Sequence, residues 1–179
     1  TGIFLDQKEV RGRLVDGFAV GKTVLNMFSY TGAFSVAAAM GGAVATTSVD
    51  LAKRSLPKTT EQFEVNHLNL APQKIIVMDV FDYFKYASRK GLSYDMIILD
   101  PPSFARNKKK VFSVAKNYGE LVKDSIDILT DKGTLIASTN AANLSLAKYQ
   151  KMVITALQEK NVRYKITDTY QLPADFQVN

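Results

Sequence analysis

Residues 23–40 read Thr23-Val24-Leu25-Asn26-Met27-Phe28-Ser29-Tyr30-Thr31-Gly32-Ala33-Phe34-Ser35-Val36-Ala37-Ala38-Ala39-Met40. Residues 23–28 form a short β-rich run, and residues 33–40 an alanine-rich helical run that stops at Gly41-Gly42. Glycines suit a helix C-terminus, where the chain often turns left-handed. Between the two runs lies a tight strand-to-helix turn. A strand–turn–helix unit that recurs along a chain predicts βαβ units and a parallel sheet.

The unit recurs. Short apolar runs rich in Val, Ile, Leu, Met or Thr stand at 45–49, 74–78, 94–99 and 133–137, and 163–170 reads as a sixth strand. Helical spacing of apolar residues marks 56–68, 81–90, 118–129 and 146–160; Leu121, Val122, Ser125, Ile128 and Leu129 show the three- and four-residue steps. Pro57 fits the first turn of its helix, where a missing N–H is harmless. The alternation predicts an α/β, Rossmann-like fold: a mostly parallel twisted sheet with helices on both faces. Residues 1–20 read as a lead-in of one short strand and an amphipathic helix, and 21–179 as the main domain. The chain opens on Thr1 without an initiator methionine, and a last antiparallel strand is expected beyond Asn179, so a piece of a longer polypeptide is expected.

Composition narrows the function. The 179 residues carry 23 basic and 17 acidic side chains, a net charge of +6, with 46% hydrophobic and 22% charged residues, as in one ordinary globular domain. The positive excess is compatible with a nucleic-acid partner without pointing to one. No cysteine is present, which excludes a disulfide scaffold, a thiolate metal site and a cysteine nucleophile in this chain. His67 is the single histidine, so no metal site is expected. The longest low-polarity stretch, residues 32–45, is interrupted by Ser35 and falls short of the about 18 apolar residues that a span needs. The chain opens on Thr1-Gly2-Ile3-Phe4 rather than on a basic-then-apolar segment, so no secretory leader, no membrane association and a cytoplasmic location are the expectations.

In open α/β sheets ligands bind beyond the carboxyl ends of the strands. The turn after the first run has one glycine, Gly32, so neither G-x-G-x-x-G nor a P-loop is present, which argues against NAD and FAD. The second run ends in Asp50, followed by Leu51; a carboxylate there can accept both hydroxyls of a ribose. The third ends in Asp79-Val80-Phe81, an acceptor for an adenine amino group beside apolar cover. The fourth ends in Asp100-Pro101-Pro102-Ser103-Phe104, where two prolines free backbone carbonyls from local partners and an aromatic ring can stack on a planar substrate. Asp50 and Asp79 also suit helix N-caps, and Phe28, Tyr30 and Phe34 also suit a core. Asp-Pro-Pro at the end of a buried strand has no comparable structural use, and four such features in strand order are more specific than any one.

These motifs resemble those of the class I S-adenosylmethionine methyltransferases, and most closely the bacterial 23S ribosomal RNA large-subunit methyltransferases of the cytosine-5 group and the related guanine-7 domain. Thr1-Gly2-Ile3-Phe4-Leu5-Asp6-Gln7, followed by Arg11, resembles their T-G-x-F-L-D-Q opening motif. Val24 to Gly32 resembles their first strand motif, and Ser48-Val49-Asp50, Asp79-Val80-Phe81 and Asp100-Pro101-Pro102-Ser103-Phe104 follow in order. The resemblance spans nearly the whole chain. Members of the cytosine group usually carry a small RNA-binding domain before this point.

The resemblance implies S-adenosylmethionine as cofactor and ribosomal RNA as partner. It implies that the loop of Phe28, Ser29, Tyr30, Thr31 and Gly32 holds the methionine half, that Asp50 holds the ribose and Asp79 with Val80 the adenine, and that Phe34 and Leu51 also belong to the cofactor site. Asp100 would face the methionine amino group and, with Pro101, Pro102 and Phe104, form the catalytic set. Arg11 suits the methionine carboxylate, whose two oxygens a guanidinium matches, and equally suits a surface helix. The oligomeric state stays open, a homodimer being one option.

Carbon 5 of a pyrimidine is not nucleophilic, and such enzymes first add a cysteine thiolate to the ring. In the cytosine group that cysteine sits in a Ser-Cys-Ser segment after the fifth strand; here the segment is Ser138-Thr139-Asn140, nearer the Ser-Asn-Asn of the guanine-7 relatives. Guanine N7 has its own lone pair and needs only alignment. An exocyclic amine would donate to Asp100 and the Pro101 carbonyl. The expectation is methylation of a base of 23S ribosomal RNA by direct in-line transfer, at guanine N7 or an exocyclic amine. Cytosine-5 methylation, as the family name implies, remains the alternative. A small-molecule methyltransferase would need a lid longer than any insertion here. A non-catalytic RNA-binding domain would have no use for three aspartates at strand ends. The base would lie against Phe104, flipped from its RNA context, with Arg106, Lys108, Lys109 and Lys110 either on phosphates or in a solvated loop.

Overall fold

Strand β1 (Thr23–Met27) lies at the centre of the main sheet, hydrogen-bonded to β2 (Ala45–Asp50) on one side and β4 (Tyr94–Leu99) on the other. Side chains on a strand alternate between faces. Leu25, Met27, Ile97 and Leu99 accordingly enter one core, and Val24, Met96 and Ile98 a second core on the opposite face. A strand apolar on both faces needs cover on both.

A computed structural model describes residues 7–106, 111–141 and 144–171. On one face lie α1 (Lys8–Arg13), a π-helical turn (Leu14–Phe18) and α2 (Ala33–Met40), which contribute Leu14, Phe34, Ala37 and Ala38 to the core. On the other lie α4 (Val80–Arg89), α5 (Val114–Asp127) and α6 (Leu146–Glu159), which contribute Tyr83, Phe84, Tyr118, Leu121, Val122 and Leu157. Helix α3 (Ser55–Val65) packs on α2 and on β3 (Gln73–Val77), with Pro57 in its first turn. The sheet order is β3-β2-β1-β4-β7, every pair parallel, with β7 (Leu129–Ala137) last. The Rossmann-like α/β expectation holds, and the strand order reverses between β1 and β4.

Four local differences separate structure from expectation. A short antiparallel hairpin of β5 (Phe104–Arg106) and β6 (Val111–Ser113) follows the Asp-Pro-Pro segment, too brief to show a period. It runs straight into α5, which starts at Val114 rather than 118. β7 starts at Leu129 rather than 133: Leu129 already pairs with Tyr94, and the ladder resumes at Thr134 opposite Met96 after an irregularity that includes Lys132 at φ 58°. Among the described residues the sixth strand does not form: residues 163–170 are exposed and pair with no other strand there. A β-prone run gains a ladder only from a neighbouring backbone; this one is held instead by Arg13, which pairs with Asp168 at 2.7 Å and donates to the Tyr170 hydroxyl at 2.5 Å. The lead-in helix is present, whereas the strand expected before it falls in residues 1–6, outside the described residues.

Candidate active site

The sheet order sets the carboxyl ends of β3, β2, β1 and β4 in one row. Neighbouring strands are about 4.8 Å apart, so Asp79, Asp50, the turn after β1 and Asp100 lie along roughly 14 Å. A cavity of about 340 Å³ opens over this row, within the size range of small-ligand sites. Its lining includes Arg11, Phe28, Ser29, Tyr30, Thr31, Phe34, Asp50, Leu51, Asp79, Val80, Asp100, Pro101 and Pro102. Two expected residues are not on the lining. Gly32 supports the turn from behind, and Phe104 is 60% exposed on the hairpin.

The turn after β1 is tightly wound. Phe28, Tyr30 and Gly32 all have positive φ, at 58°, 52° and 77°. For a side-chain-bearing residue that conformation costs on the order of 1–3 kcal/mol and persists only where the surroundings enforce it. The surroundings are visible: Ser29 N donates to the Val49 carbonyl at 3.0 Å, Tyr30 N to Asp50 Oδ2 at 2.9 Å, and Gly32 N to the Ser29 carbonyl at 2.7 Å. A Cβ on Gly32 would lie 2.4 Å from Thr59 Cγ2, so a glycine is required there for space as well as for φ.

The aspartates differ in their fixation. Asp50 is clamped, taking Tyr30 N on Oδ2 and Ala52 N, at 2.8 Å, on Oδ1. Each carboxylate oxygen offers two lone pairs, so both retain capacity for a ligand hydroxyl. Asp79 caps α4, its Oδ1 accepting from Phe81 N at 3.0 Å and Asp82 N at 3.2 Å. The capping use and the position on the cavity wall coexist. Asp100 Oδ1 accepts from Gln7 Nε2 at 2.6 Å and Ser138 Oγ at 2.8 Å.

The far wall adds Ala105 and Phe112, which the sequence did not single out, to Phe81 and Arg106, which it did. Phe112 on β6 is 2% exposed and sits 6.2 Å from the Phe28 ring and 5.7 Å from the Phe81 ring, which joins the hairpin to β1 and α4. Phe81, Ala105, Arg106, Phe112, Asn140 and Gln7 all line the cavity. Gln7 stands in the opening motif and Asn140 in the segment after β7, so sequence marked both segments without assigning these side chains a wall. Ser103 Oγ donates to Asn140 Oδ1 at 3.2 Å, linking the Pro-Pro segment to the loop after β7. Thr139 is off the lining; its Oγ1 accepts from Ala141 N at 3.1 Å. Below it, the Tyr118 hydroxyl donates to the Ser138 carbonyl at 2.8 Å and accepts from the Tyr149 hydroxyl at 3.1 Å. Burial pushes the Tyr118 hydroxyl well above the usual tyrosine range, and pushes that of Tyr149 up as well, so both stay protonated donors.

Lys108, Lys109 and Lys110 lie outside the described residues. Among the described residues no three His, Asp or Glu side chains cluster as metal ligands, and no helix is long and apolar enough to cross a membrane. The donor set fits S-adenosylmethionine: a clamped carboxylate with spare acceptor capacity for vicinal hydroxyls, Leu51, Val80 and Phe81 for a purine, and Asp100 for a cation.

Residues 1–159 match the model of the S-adenosylmethionine-dependent methyltransferase family. YwbD of Bacillus subtilis, named as a candidate ribosomal RNA large subunit methyltransferase, is 57% identical over 98% of this chain and 44% of its own length. A Deinococcus radiodurans ribosomal RNA large subunit methyltransferase is 35% identical over 92% of this chain and 40% of its own. The crystal structure of SMU.776, a methyltransferase candidate complexed with SAH, superposes with a TM-score of 0.96 at 57% identity, covering 100% of this chain and 46% of that one. The chain thus spans less than half the length of these relatives. With its sheet order, its row of strand-end aspartates and this match over most of its length, the chain belongs to the S-adenosylmethionine-dependent methyltransferase family.

Proposed function

We propose that this domain methylates a base of large-subunit ribosomal RNA by direct in-line transfer, at guanine N7 or an exocyclic amine, without a covalent enzyme–base adduct. One observation carries the mechanistic part. The chain has no thiol, and at the position where the cytosine-5 group has its cysteine, the Thr139 hydroxyl accepts from the Ala141 N–H and lies off the cavity wall. The names of the relatives support the substrate class.

The bound cofactor supplies an electrophilic methyl on a sulfonium, so the protein's task is alignment rather than activation. Asp50 accepts the ribose hydroxyls from its clamp between Tyr30 N and Ala52 N. Asp79 with Val80 and Phe81 takes the adenine. The strained 28–32 turn and Arg11 hold the methionine half, and Asp100 faces its ammonium. Pro101, Pro102 and Asn140 line the space beyond Asp100, where the acceptor base enters. Phe104 offers an exposed ring to a flipped or neighbouring base, and Arg106 a cation to the backbone phosphate.

The test is the product. The whole protein is incubated with labelled cofactor and ribosomal RNA lacking its modifications, and the RNA is digested to nucleosides. The expected product is 7-methylguanosine or a nucleoside methylated on its exocyclic amine. Formation of 5-methylcytidine, or methylation of a metabolite pool and not RNA, overturns the proposal.

A further inference from the structure

Gln7 is the N-cap residue of α1, yet its amide reaches the end of β4, 93 positions away in sequence. Nε2 donates to Asp100 Oδ1 at 2.6 Å and approaches Ser138 Oγ at 3.4 Å. Ser138 Oγ in turn lies 2.8 Å from Asp100 Oδ1 and 3.1 Å from the Leu99 carbonyl oxygen. A hydroxyl has one proton and must divide it between those two acceptors, whereas the Gln7 amide nitrogen has two. Gln7 therefore secures a donor on Asp100 whichever way the Ser138 proton turns. The terminal torsion of an aspartate is soft, and donors on Oδ1 fix the plane in which Oδ2 points.

This arrangement is costly to stability. Gln7 Oε1 is buried with no hydrogen-bond partner among the described residues, a condition that typically costs about 1–3 kcal/mol. An apolar side chain of similar length would fill the same space without that cost. Arg11, four residues on and so on the same face of the helix, lines the same cavity. The lead-in helix thus presents two polar side chains to the cavity.

We propose that Gln7 is a positioning residue: its amide orients the Asp100 carboxylate toward the amino-acid end of the bound cofactor. The proposal rests on the S-adenosylmethionine reading of the pocket, with the methionine half at β4.

The test compares two ligands on the full chain by calorimetry: SAH, and methylthioadenosine, which keeps the nucleoside and thioether but lacks the amino-acid end. Gln7→Met should weaken SAH about tenfold, leave methylthioadenosine within twofold, and leave the thermal midpoint unchanged or raised. If Gln7→Met does not fold, Gln7→Asn, one methylene short of Asp100, carries the same ligand expectation. Unchanged SAH affinity overturns the proposal. Equal loss for both ligands also overturns it, since that marks a structural role. If the unsubstituted chain binds neither ligand, the cofactor reading fails and this proposal with it.

Discussion

The backbone N–H of Tyr30 donates to Asp50 Oδ2 at 2.9 Å, tying the turn after β1 to the end of β2. Tyr30 is in the left-handed region at φ 52°, so this bond helps to hold a conformation the residue disfavours. Asp50 serves both as a support of the cavity wall and as part of its surface. Asp50→Ala should therefore weaken SAH binding roughly 10- to 100-fold, the factor that about 1.5–3 kcal/mol of charged hydrogen bonding supplies. Hydrogen exchange across residues 28–32 should also accelerate. Calorimetry and exchange mass spectrometry read the two effects; tight SAH binding by Asp50→Ala would rule out its place at the ligand.

Gly32→Ala tests the packing behind the same turn. The new methyl would meet Thr59 Cγ2 at 2.4 Å, and φ would remain near 77°. The expected destabilisation is about 2–3 kcal/mol, from strain and overlap together. Thr59→Ala in the same chain should return part of the loss, since the nearest two atoms leave while the φ strain stays. Urea titrations of the two single variants and the double variant measure the coupling. Strict additivity would mean that Thr59 is not what excludes a side chain at position 32.

The sequence made the row of strand ends legible because each end combines a short run rich in Val, Ile, Leu, Met or Thr with an acidic residue that breaks it: Asp50, Asp79 and Asp100. The wall opposite them was less legible. Phe112 reaches the site from a three-residue strand, and Gln7 from a helix some ninety residues away from its partner. Neither has a periodic pattern to betray its direction. Residues 163–170 failed in the opposite sense, since their composition favours a strand and no strand pairs with them among the described residues. Propensity reports what a segment would do with a partner, while the ladder itself is a tertiary fact.

Asp95, at the amino end of β4, predicts a pH effect remote from the cavity. The Thr23 backbone N–H, at 2.9 Å, is the main cause that holds its carboxyl below the usual carboxylate range, aided by the Thr23 and Thr130 hydroxyls. A folded-state value below the unfolded one gives stability that is present above the unfolded value, near pH 4, and lost as pH falls through the folded value. Asp95→Asn should cost about 1 kcal/mol at pH 7, or roughly 2–4 °C in the thermal midpoint. The gap between parent and variant should narrow below about pH 4. A gap constant from neutral pH to pH 3 would contradict the assignment.

Thr139 separates the two chemical routes most directly. Its hydroxyl accepts from Ala141 N at 3.1 Å, while the next residue, Asn140, lines the cavity. If methyl transfer is direct, position 139 serves only the shape of the loop. Thr139→Ala should then lose about 0.5–1.5 kcal/mol of stability, one hydrogen bond's worth, and keep its methylation rate on ribosomal RNA within a few-fold. Thr139→Cys should restore the thiol of the cytosine-5 group without yielding 5-methylcytidine, because a side chain seated on the loop backbone does not approach a base in the cavity. A covalent nucleophile behaves otherwise: its removal costs orders of magnitude in turnover. Rate measurements on both variants, with nucleoside analysis of the product, decide the matter. A collapse of turnover in Thr139→Ala at preserved fold would place position 139 in the chemistry and return the cytosine route to first place.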